Sequence, residues 1–541
     1  MGSHMSSRWI ESALLFLSLY IVLASWIGLV SFQPVLILLL AILASFFLLK
    51  KNPAENVALP RTAIALAILG TVLAAYPLVL IHPPFDSSAD GLHSVISRAL
   101  SSAPAIPKTF QPYSEISLNY TIGFHLLSAS VYQFIPIEPI SLLNWFFGMV
   151  FVFLGILSFY LFSRELIRSD HAAIFSTILL LGSKIIFQNA YFGLYPYIAG
   201  NALVFFGSFL LLRKNRLFWA VLPAVFLLNP GSAINAMLLF SFLSVLRPSV
   251  FFTRSIPWIA LSIPEWGRTY SILFYNLLFG HSAHAAAPLL PATSTIVSAL
   301  LWMGWVPLVG VIASIALAWK KGFDELTKHL LLFFAASLLL YFLVNPLSQP
   351  FAGKLVELVA VAAILFSSAV LCSRRWIRKI DFQKPAVLAL LLFIVLGTFF
   401  FSTTLSHLRD GSKISLNDAE LAFSTFQKNP APEKAFYFIP PNQASPTQKF
   451  SEYANKMPYD ILENGMYLFP INESQIDKAE YAALQQKHLQ SVEIVQTGCL
   501  ACAASLDVNY IVLSRSLFRP LPGFAETASN QNLVVLRRTA S

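Results

Sequence analysis

The chain has 541 residues, of which 57% are hydrophobic and only 11% charged, and its mean hydropathy is +0.68. A soluble globular domain carries about 25% charged residues. The composition therefore excludes an ordinary soluble enzyme and a disordered protein, and it predicts a multi-spanning membrane protein. The formal net charge is +10, and the basic residues cluster in short loops between apolar stretches. Membrane topology explains this charge, so nucleic-acid binding is not expected.

The first residues, 1–5 (MGSHM), have the sequence of an expression-tag remnant. Beyond them, a transmembrane helix needs about 20 mostly apolar residues. The candidate spans in chain order are 9–30, 34–49, 62–81, 119–137, 140–163, 172–189, 195–213, 217–229, 231–246, 256–280, 297–319, 328–345, 353–372 and 384–402. Residues 403–541 have a soluble composition and predict a separate domain.

The Lys and Arg bias of the short loops sets the orientation, because cytoplasmic loops are enriched in these residues. If every candidate crossed, the basic loop at Arg164 and the next three would fall on the outer side. Omitting the polar stretch 119–137, which contains Asn119, His125 and Gln133, returns all of them to the inside. The sequence thus predicts about 13 crossings, with 119–137 lying in the outer interface. The N-terminus is then cytoplasmic, and 403–541 is extracytoplasmic.

The long outer loop 82–139 contains the first candidate catalytic residues. Asp86, Asp90 and His93 follow the third span at spacings of four and three residues, so a helix here would bring them to one face. Asp90 would be the N-cap if the helix began there. The alternative is that Asp90 only caps an interfacial helix and that Asp86 is solvated.

Farther along this loop, Asn119-Tyr120-Thr121-Ile122-Gly123-Phe124-His125 leads into the interfacial stretch. Together with Asp90-Gly91-Leu92-His93, this segment resembles the GT-C superfamily of membrane glycosyltransferases, in particular an uncharacterised prokaryotic branch with Asp-x-x-His and Asn-Tyr-Pro-Pro-Gly-Phe-His motifs. Thr-Ile replaces Pro-Pro here. That branch often has a His-Pro dipeptide in the middle of the membrane domain. The nearest match in this sequence is Asn229-Pro230.

The resemblance implies a fold, a domain plan and a location. The expected fold is a polytopic α-helical membrane domain with interfacial helices in the first large outer loop, followed by a small extracytoplasmic α/β domain. The boundaries are 6–61 for an added N-terminal transmembrane hairpin, 62–402 for the GT-C-like domain and 403–541 for the C-terminal domain. The expected location is the plasma membrane.

The resemblance also implies an activity. The partners are a polyprenyl-phosphate-linked sugar donor and a lipid, glycan or protein acceptor on the extracytoplasmic face. Asp90 is the predicted general base, with Asp86 second and His93 flanking it. A carboxylate base opposite the leaving phosphate implies inversion at the anomeric carbon. A divalent cation such as Mg²⁺ or Mn²⁺ is compatible with such a site, but the sequence does not require one.

Polar residues at the membrane domain supply the remaining candidates. Lys354, at the outer start of a late span, and Arg268, within an apparent span, are predicted to bind the donor phosphate; Lys354 could instead snorkel to the lipid head groups. His125, Tyr120, Glu265 and Tyr195 are predicted to line the substrate cavity. Glu265 could instead pair with Arg268, and Tyr195 could belong to an interfacial aromatic belt.

The C-terminal domain shows a strand-and-helix pattern. Strands are predicted at 434–439, 491–496, 507–513 and 532–538, and a helix at 474–488. Cys499 and Cys502 predict a local disulfide on the outer side.

Two other functions compete with glycosyl transfer. The chain could be a transporter or flippase of a lipid-linked substrate, or a non-catalytic membrane assembly protein. No internal repeat of the kind common in transporters is found, and transport does not require a soluble outer domain.

Overall fold

The structure of the protein is a computed structural model. It describes residues 5–51, 57–80, 88–108, 118, 120–137, 140–183, 185–191, 193–246, 256–270, 304–344, 349–373, 387, 421, 425, 433–438, 456–458 and 478–539. The predicted span 384–402 therefore lies outside the described residues, apart from one position.

The first part of the chain is helical. The helices in chain order are α1 (Arg8–Ile27), α2 (Pro34–Lys51), α3 (Arg61–Leu80), α4 (Ser88–Ser102), α5 (Gly123–Phe134), α6 (Ser141–Ile167), α7 (Asp170–Leu181), α8 (Ile185–Tyr191), α9 (Tyr195–Leu212), α10 (Phe218–Leu228) and α11 (Pro230–Leu246). Two short strands, β1 (Met5–Ser6) and β2 (Ala58–Leu59), pair antiparallel.

After α11 the helical part continues through an irregular stretch. Short α12 (Ile256–Ile259), a 3₁₀ turn (Ala260–Ser262), α13 (Ile263–Glu265) and a π-helical turn (Trp266–Tyr270) are followed by α14 (Trp305–Lys321), α15 (Glu325–Val344) and α16 (Gln349–Cys372). The predicted continuous span 256–280 thus begins as four short turns.

Six helices are long and apolar enough to cross a membrane among the described residues: α1, α2, α6, α9, α15 and α16, the last counted from Leu355. Their bounds agree closely with the predicted spans. The predicted span 172–189 is instead two helices, because α7 ends at Leu181 with Gly182 as its C-cap, and α8 starts at Ile185. The total of about 13 crossings stays a prediction.

One large hydrophobic core joins these helices. It combines residues of α1, α6, α9 and α10 with the interfacial helices α4 and α5. Small residues allow close approach at its centre: a Cβ at Gly155 of α6 would lie 3.2 Å from the Cβ of Ala202 on α9. The outer-loop helices are therefore packed against the membrane domain.

The C-terminal part contains a five-stranded mixed sheet with its own core. The strands are β3 (Glu433–Phe438), β4 (Lys456–Pro458), β5 (Tyr510–Ser514), β6 (Phe524–Ser529) and β7 (Leu533–Arg538), in the order β4-β3-β5-β7-β6. Strand β3 is parallel to β4 and β5, while β7 is antiparallel to β5 and β6. The small α/β fold is confirmed.

One strand prediction in this domain is wrong. Residues 491–496 belong to helix α17 (Lys478–Thr497) and not to a strand. Ser491 and Ile494 are buried while Glu493 and Gln496 are exposed, so burial recurs every three residues as on a helix face. Helix α18 (Leu500–Ala504) follows, and the Cys499–Cys502 disulfide is present at its start.

Candidate active site

The Asp-x-x-His motif lies on α4. This helix begins at Ser88 and not at Asp90, so Asp90 is in its first turn and is not the N-cap. A first-turn aspartate still benefits from the positive end of the helix dipole. The side chain of Asp90 and the whole of Asp86 lie outside the described residues. His93, one turn later, is fully buried.

The structure brings His93 together with the second motif. Nδ1 of His93 lies 2.9 Å from Nε2 of His125 on α5, and the ring centroids are 5.0 Å apart. The ring of Tyr120 packs against both, at 5.8 Å from His93 and 5.6 Å from His125. Three predicted site residues thus form one aromatic cluster, which we call the histidine cluster.

Burial keeps both imidazoles neutral. Removal from water lowers the pKa of His93 to about 3, although the nearby Gly193 backbone opposes the shift. Burial, with the neighbouring His93, lowers the pKa of His125 well below its usual value. In a neutral pair at this distance, one ring donates its proton and the other accepts it. Burial also raises the pKa of Tyr120.

The residues before α5 dock this cluster onto the membrane domain. The Thr121 hydroxyl donates to the carbonyl of Leu228 at 2.9 Å, and the Ile122 N–H donates to Oε1 of Glu265 at 3.3 Å. The Tyr120 hydroxyl interacts with the side chain of Asn229. The segment before α5 and Asn229-Pro230, which are far apart in the sequence, therefore meet in space.

Glu265 is buried and holds the start of α5. Its second oxygen, Oε2, accepts from the Thr269 hydroxyl at 3.3 Å. The predicted pairing with Arg268 lies outside the described side chains. Glu265 therefore joins the irregular stretch 256–270 to the segment that carries Tyr120 and His125.

Tyr195 begins α9 and is fully buried. Its ring stacks on Phe124 at a centroid distance of 6.3 Å, and a Cβ at Gly148 would lie 2.3 Å from it. A belt residue would instead contact lipid head groups. Tyr195 therefore packs on Phe124, and Phe124 links it to the histidine cluster.

Lys354 lies on α16, one turn before Glu357, and its side chain lies outside the described residues. Sequence reasoning missed Glu357, a buried carboxylate within a predicted span, which accepts hydrogen bonds from Asn189 and Asn201. Its position in an apolar stretch is the signal that could have identified it, because intramembrane charges are costly and are retained for a function.

The described residues contain no cluster of three His, Cys, Asp or Glu side chains that could hold one metal ion. Asp86 and the side chain of Asp90 lie outside those residues.

Comparison with solved structures gives a match over most of the chain. The crystal structure of ArnT from Cupriavidus metallidurans bound to undecaprenyl phosphate matches with a TM-score of 0.55 at 13% identity, covering 88% of this chain and 98% of that one. ArnT is a GT-C glycosyltransferase. The chain has the GT-C fold. The apo structure of ArnT matches with a TM-score of 0.48 at 14% identity, covering 87% and 97%.

The GT-C fold predicted from two short motifs is thereby confirmed. No protein-family model matches the sequence, and no curated protein sequence matches it either. The likeness is therefore one of three-dimensional arrangement, with a GT-C membrane domain and a small sheet domain after it.

Proposed function

We propose that the chain is an integral membrane glycosyltransferase that transfers a sugar from a polyprenyl-phosphate donor to an acceptor on the extracytoplasmic face. The observation that carries this proposal is the GT-C fold shared with ArnT over 88% of the chain. That ArnT structure is bound to undecaprenyl phosphate, which supports the same class of lipid phosphate as the donor here.

The arrangement of α4 and α5 supports the choice of Asp90 as the general base. Asp90 lies in the first turn of α4, and His93 one turn later anchors that helix to His125. Because a rigid support fixes the geometry of a reacting group, the histidine cluster is proposed to position the turn that carries Asp90. His93 is then a positioning residue.

The proposed reaction is a single inverting displacement. The acceptor hydroxyl loses its proton to the Asp90 carboxylate, its oxygen bonds to the anomeric carbon, and the bond from that carbon to the phosphate oxygen breaks. The electron pair leaves with the polyprenyl phosphate, which the cation of Lys354 and that of Arg268 would stabilise. A divalent cation, if one is used, would add charge stabilisation at the same phosphate.

The first prediction tests the base. Asp90→Asn is expected to lower turnover with a polyprenyl-phosphate sugar by about 10²–10⁴-fold, because general-base catalysis is worth this much. Turnover of the purified full-length chain, with the donor identified by mass spectrometry of co-purified lipid, is the measurement. Asp507→Asn is the matched control, because Asp507 is exposed in the C-terminal domain.

The companion variant Asp86→Asn separates the two carboxylates. If Asp86→Asn is inactive and Asp90→Asn keeps wild-type turnover, the roles are reversed. If both variants keep full turnover, the base lies elsewhere in the chain. If the wild-type chain moves lipid-linked sugar across the bilayer without transferring it, the proposed function is wrong.

The second prediction concerns donor binding. Lys354→Ala is expected to weaken binding of the polyprenyl-phosphate donor by about tenfold or more, because a charge-assisted contact to phosphate is lost. Lys354→Arg should retain most of the affinity. Donor titration measures this, and the thermal midpoint serves as the control. Unchanged donor affinity in Lys354→Ala would show that Lys354 contacts lipid head groups instead.

A further inference from the structure

A buried carboxylate that the proposed reaction does not use lies on α16. Glu357 is only 8% exposed, and it belongs to an apolar helix that is long enough to cross the membrane. A charge at such a position is costly and is retained for a function. The contacts of this carboxylate therefore indicate what that function is.

Hydrogen bonds join Glu357 to two other helices. Nδ2 of Asn189 on α8 donates to its Oε1 at 2.7 Å, and Nδ2 of Asn201 on α9 donates to its Oε2 at 3.0 Å. The hydroxyl of Tyr197, also on α9, is hydrogen-bonded to the same carboxylate. One carboxylate thus links α8, α9 and α16.

The two linked helices differ in how firmly they are held. Helix α9 has 18 residues and packs closely along α6, where Gly155 faces Ala202. Helix α8 has only seven residues, so a single hydrogen bond is a larger part of what holds it in place. The contact between Asn189 and Glu357 is therefore expected to fix α8 against α16.

The end of α8 leads directly to the histidine cluster. The carbonyl of Asn189 accepts from the N–H of Leu194 at 2.9 Å, which closes a turn through Gly193 at a φ of +65°. The backbone of Gly193 lies beside the ring of His93. The turn that follows Asn189 thus touches the residue that anchors α4, and Asp90 lies in the first turn of α4.

We propose that Glu357 is a positioning residue that fixes the turn beside His93 relative to α16. Lys354, the predicted phosphate-binding residue, lies three positions before Glu357 on that helix. The link thereby sets the separation between Asp90 and Lys354. A misplacement of about 1 Å in a reacting site can cost on the order of 10²-fold in rate. This inference rests on the proposed function.

A matched pair of variants tests this role in the full-length chain. Asn189→Leu and Asn201→Leu each remove one hydrogen bond to the same carboxylate, but only the first releases the turn. With a polyprenyl-phosphate sugar, Asn189→Leu is expected to lower kcat by about tenfold or more. The KM for the donor should stay within about twofold, because α16 still carries Lys354. Asn201→Leu should keep kcat within about threefold of wild type, since the packing of α9 along α6 remains.

Glu357→Gln separates positioning from a role of the charge. The introduced amide can accept from one asparagine through its oxygen and donate through its nitrogen to the other, whose own amide then flips. Both links and the size of the side chain are kept, so this variant should fold and should retain kcat within about threefold of wild type. The smaller variants Asn189→Ala and Asn201→Ala repeat the comparison without a branched side chain.

Several outcomes would overturn the proposal. Equal kcat values in Asn189→Leu and Asn201→Leu, or a lower value in the second, would mean that Glu357 only joins helices. A large loss in Glu357→Gln would mean that the charge matters and not the link, and a change in KM alone would mean that the contact acts on Lys354. Wild-type turnover is measured first, because its absence would contradict the proposed function as well as this inference.

Discussion

At the scale of single residues, the two histidines are the most constrained groups of the candidate site. His93 and His125 are fully buried and 2.9 Å apart, so a second proton would place two N–H donors against each other. The outward nitrogens, Nε2 of His93 and Nδ1 of His125, have no partner of good geometry among the described residues. Protonation of either ring is therefore costly in the native state.

This cost predicts a pH dependence of stability. The native pKa of His93 is about 3, against 6.5 in the unfolded chain, so the folded state binds fewer protons. The stability due to the neutral pair is fully present above about pH 6.5 and is lost as the pH falls toward 3, by an amount on the order of a few kcal/mol. Thermal midpoints of the solubilised chain between pH 7 and pH 4 measure this.

The matching control separates the pair from the other histidines. The double variant His93→Gln/His125→Gln should have a clearly flatter pH dependence than wild type, whereas His171→Gln, which alters an exposed histidine, should keep the wild-type slope. The same slope in the double variant would show that other groups cause the acid sensitivity.

At the scale of elements, α5 is the helix on which the site depends. It has 12 residues and is thus about 18 Å long, too short for the roughly 30 Å hydrocarbon layer. Its length agrees with an interfacial position. Contacts to α4, α10 and Glu265 hold it in place.

The closest of these contacts is at Gly123. A Cβ there would lie 2.6 Å from the carbonyl oxygen of Leu227 and 2.9 Å from Cγ2 of Ile21. Gly123→Ala is therefore expected to push α5 away from α10 and α1 and to destabilise the chain by about 1–3 kcal/mol. Turnover should fall as well, because His125 would move with the helix.

Ser128→Ala, on the same helix, is the matched control. Its buried hydroxyl has no hydrogen-bond partner among the described residues, so its removal should leave the thermal midpoint within about 1 °C or raise it. Similar losses in both variants would mean that α5 tolerates no substitution and that the Gly123 contact is not special.

At the scale of the whole molecule, sidedness remains the main prediction. The predicted odd number of crossings would place the outer loop and the C-terminal domain on one side of the membrane and the basic loops on the other. The Cys499–Cys502 disulfide in the C-terminal domain agrees with an oxidising compartment outside the cytoplasm.

Cysteine accessibility tests this arrangement directly. In a background with Cys372→Ala, Cys499→Ser and Cys502→Ser, the exposed positions Lys108→Cys and Arg216→Cys should be labelled from the outside and the inside respectively by a membrane-impermeant maleimide. Labelling of both from the same side would rule out the predicted topology, and an even number of crossings between them would follow.

The sequence by itself determined the class of protein and most element positions. Hydrophobicity and helix length are local properties that the bilayer imposes on every span, so the predicted 9–30 and 34–49 correspond closely to α1 and α2. The motif around Asp90 and the motif before α5 also indicated the fold. Each was a short local pattern that needed no knowledge of its neighbours.

Only the tertiary structure decided which polar groups meet. His93 and His125 are 32 positions apart, and Glu357 is 168 positions from Asn189, so no local pattern links them. The misassigned strand at 491–496 has the same origin, because only packing against the sheet shows that Ile494 lies on a helix face. Hydrophobic periodicity is a local property of the chain, whereas side-chain pairing depends on long-range packing that brings distant segments together.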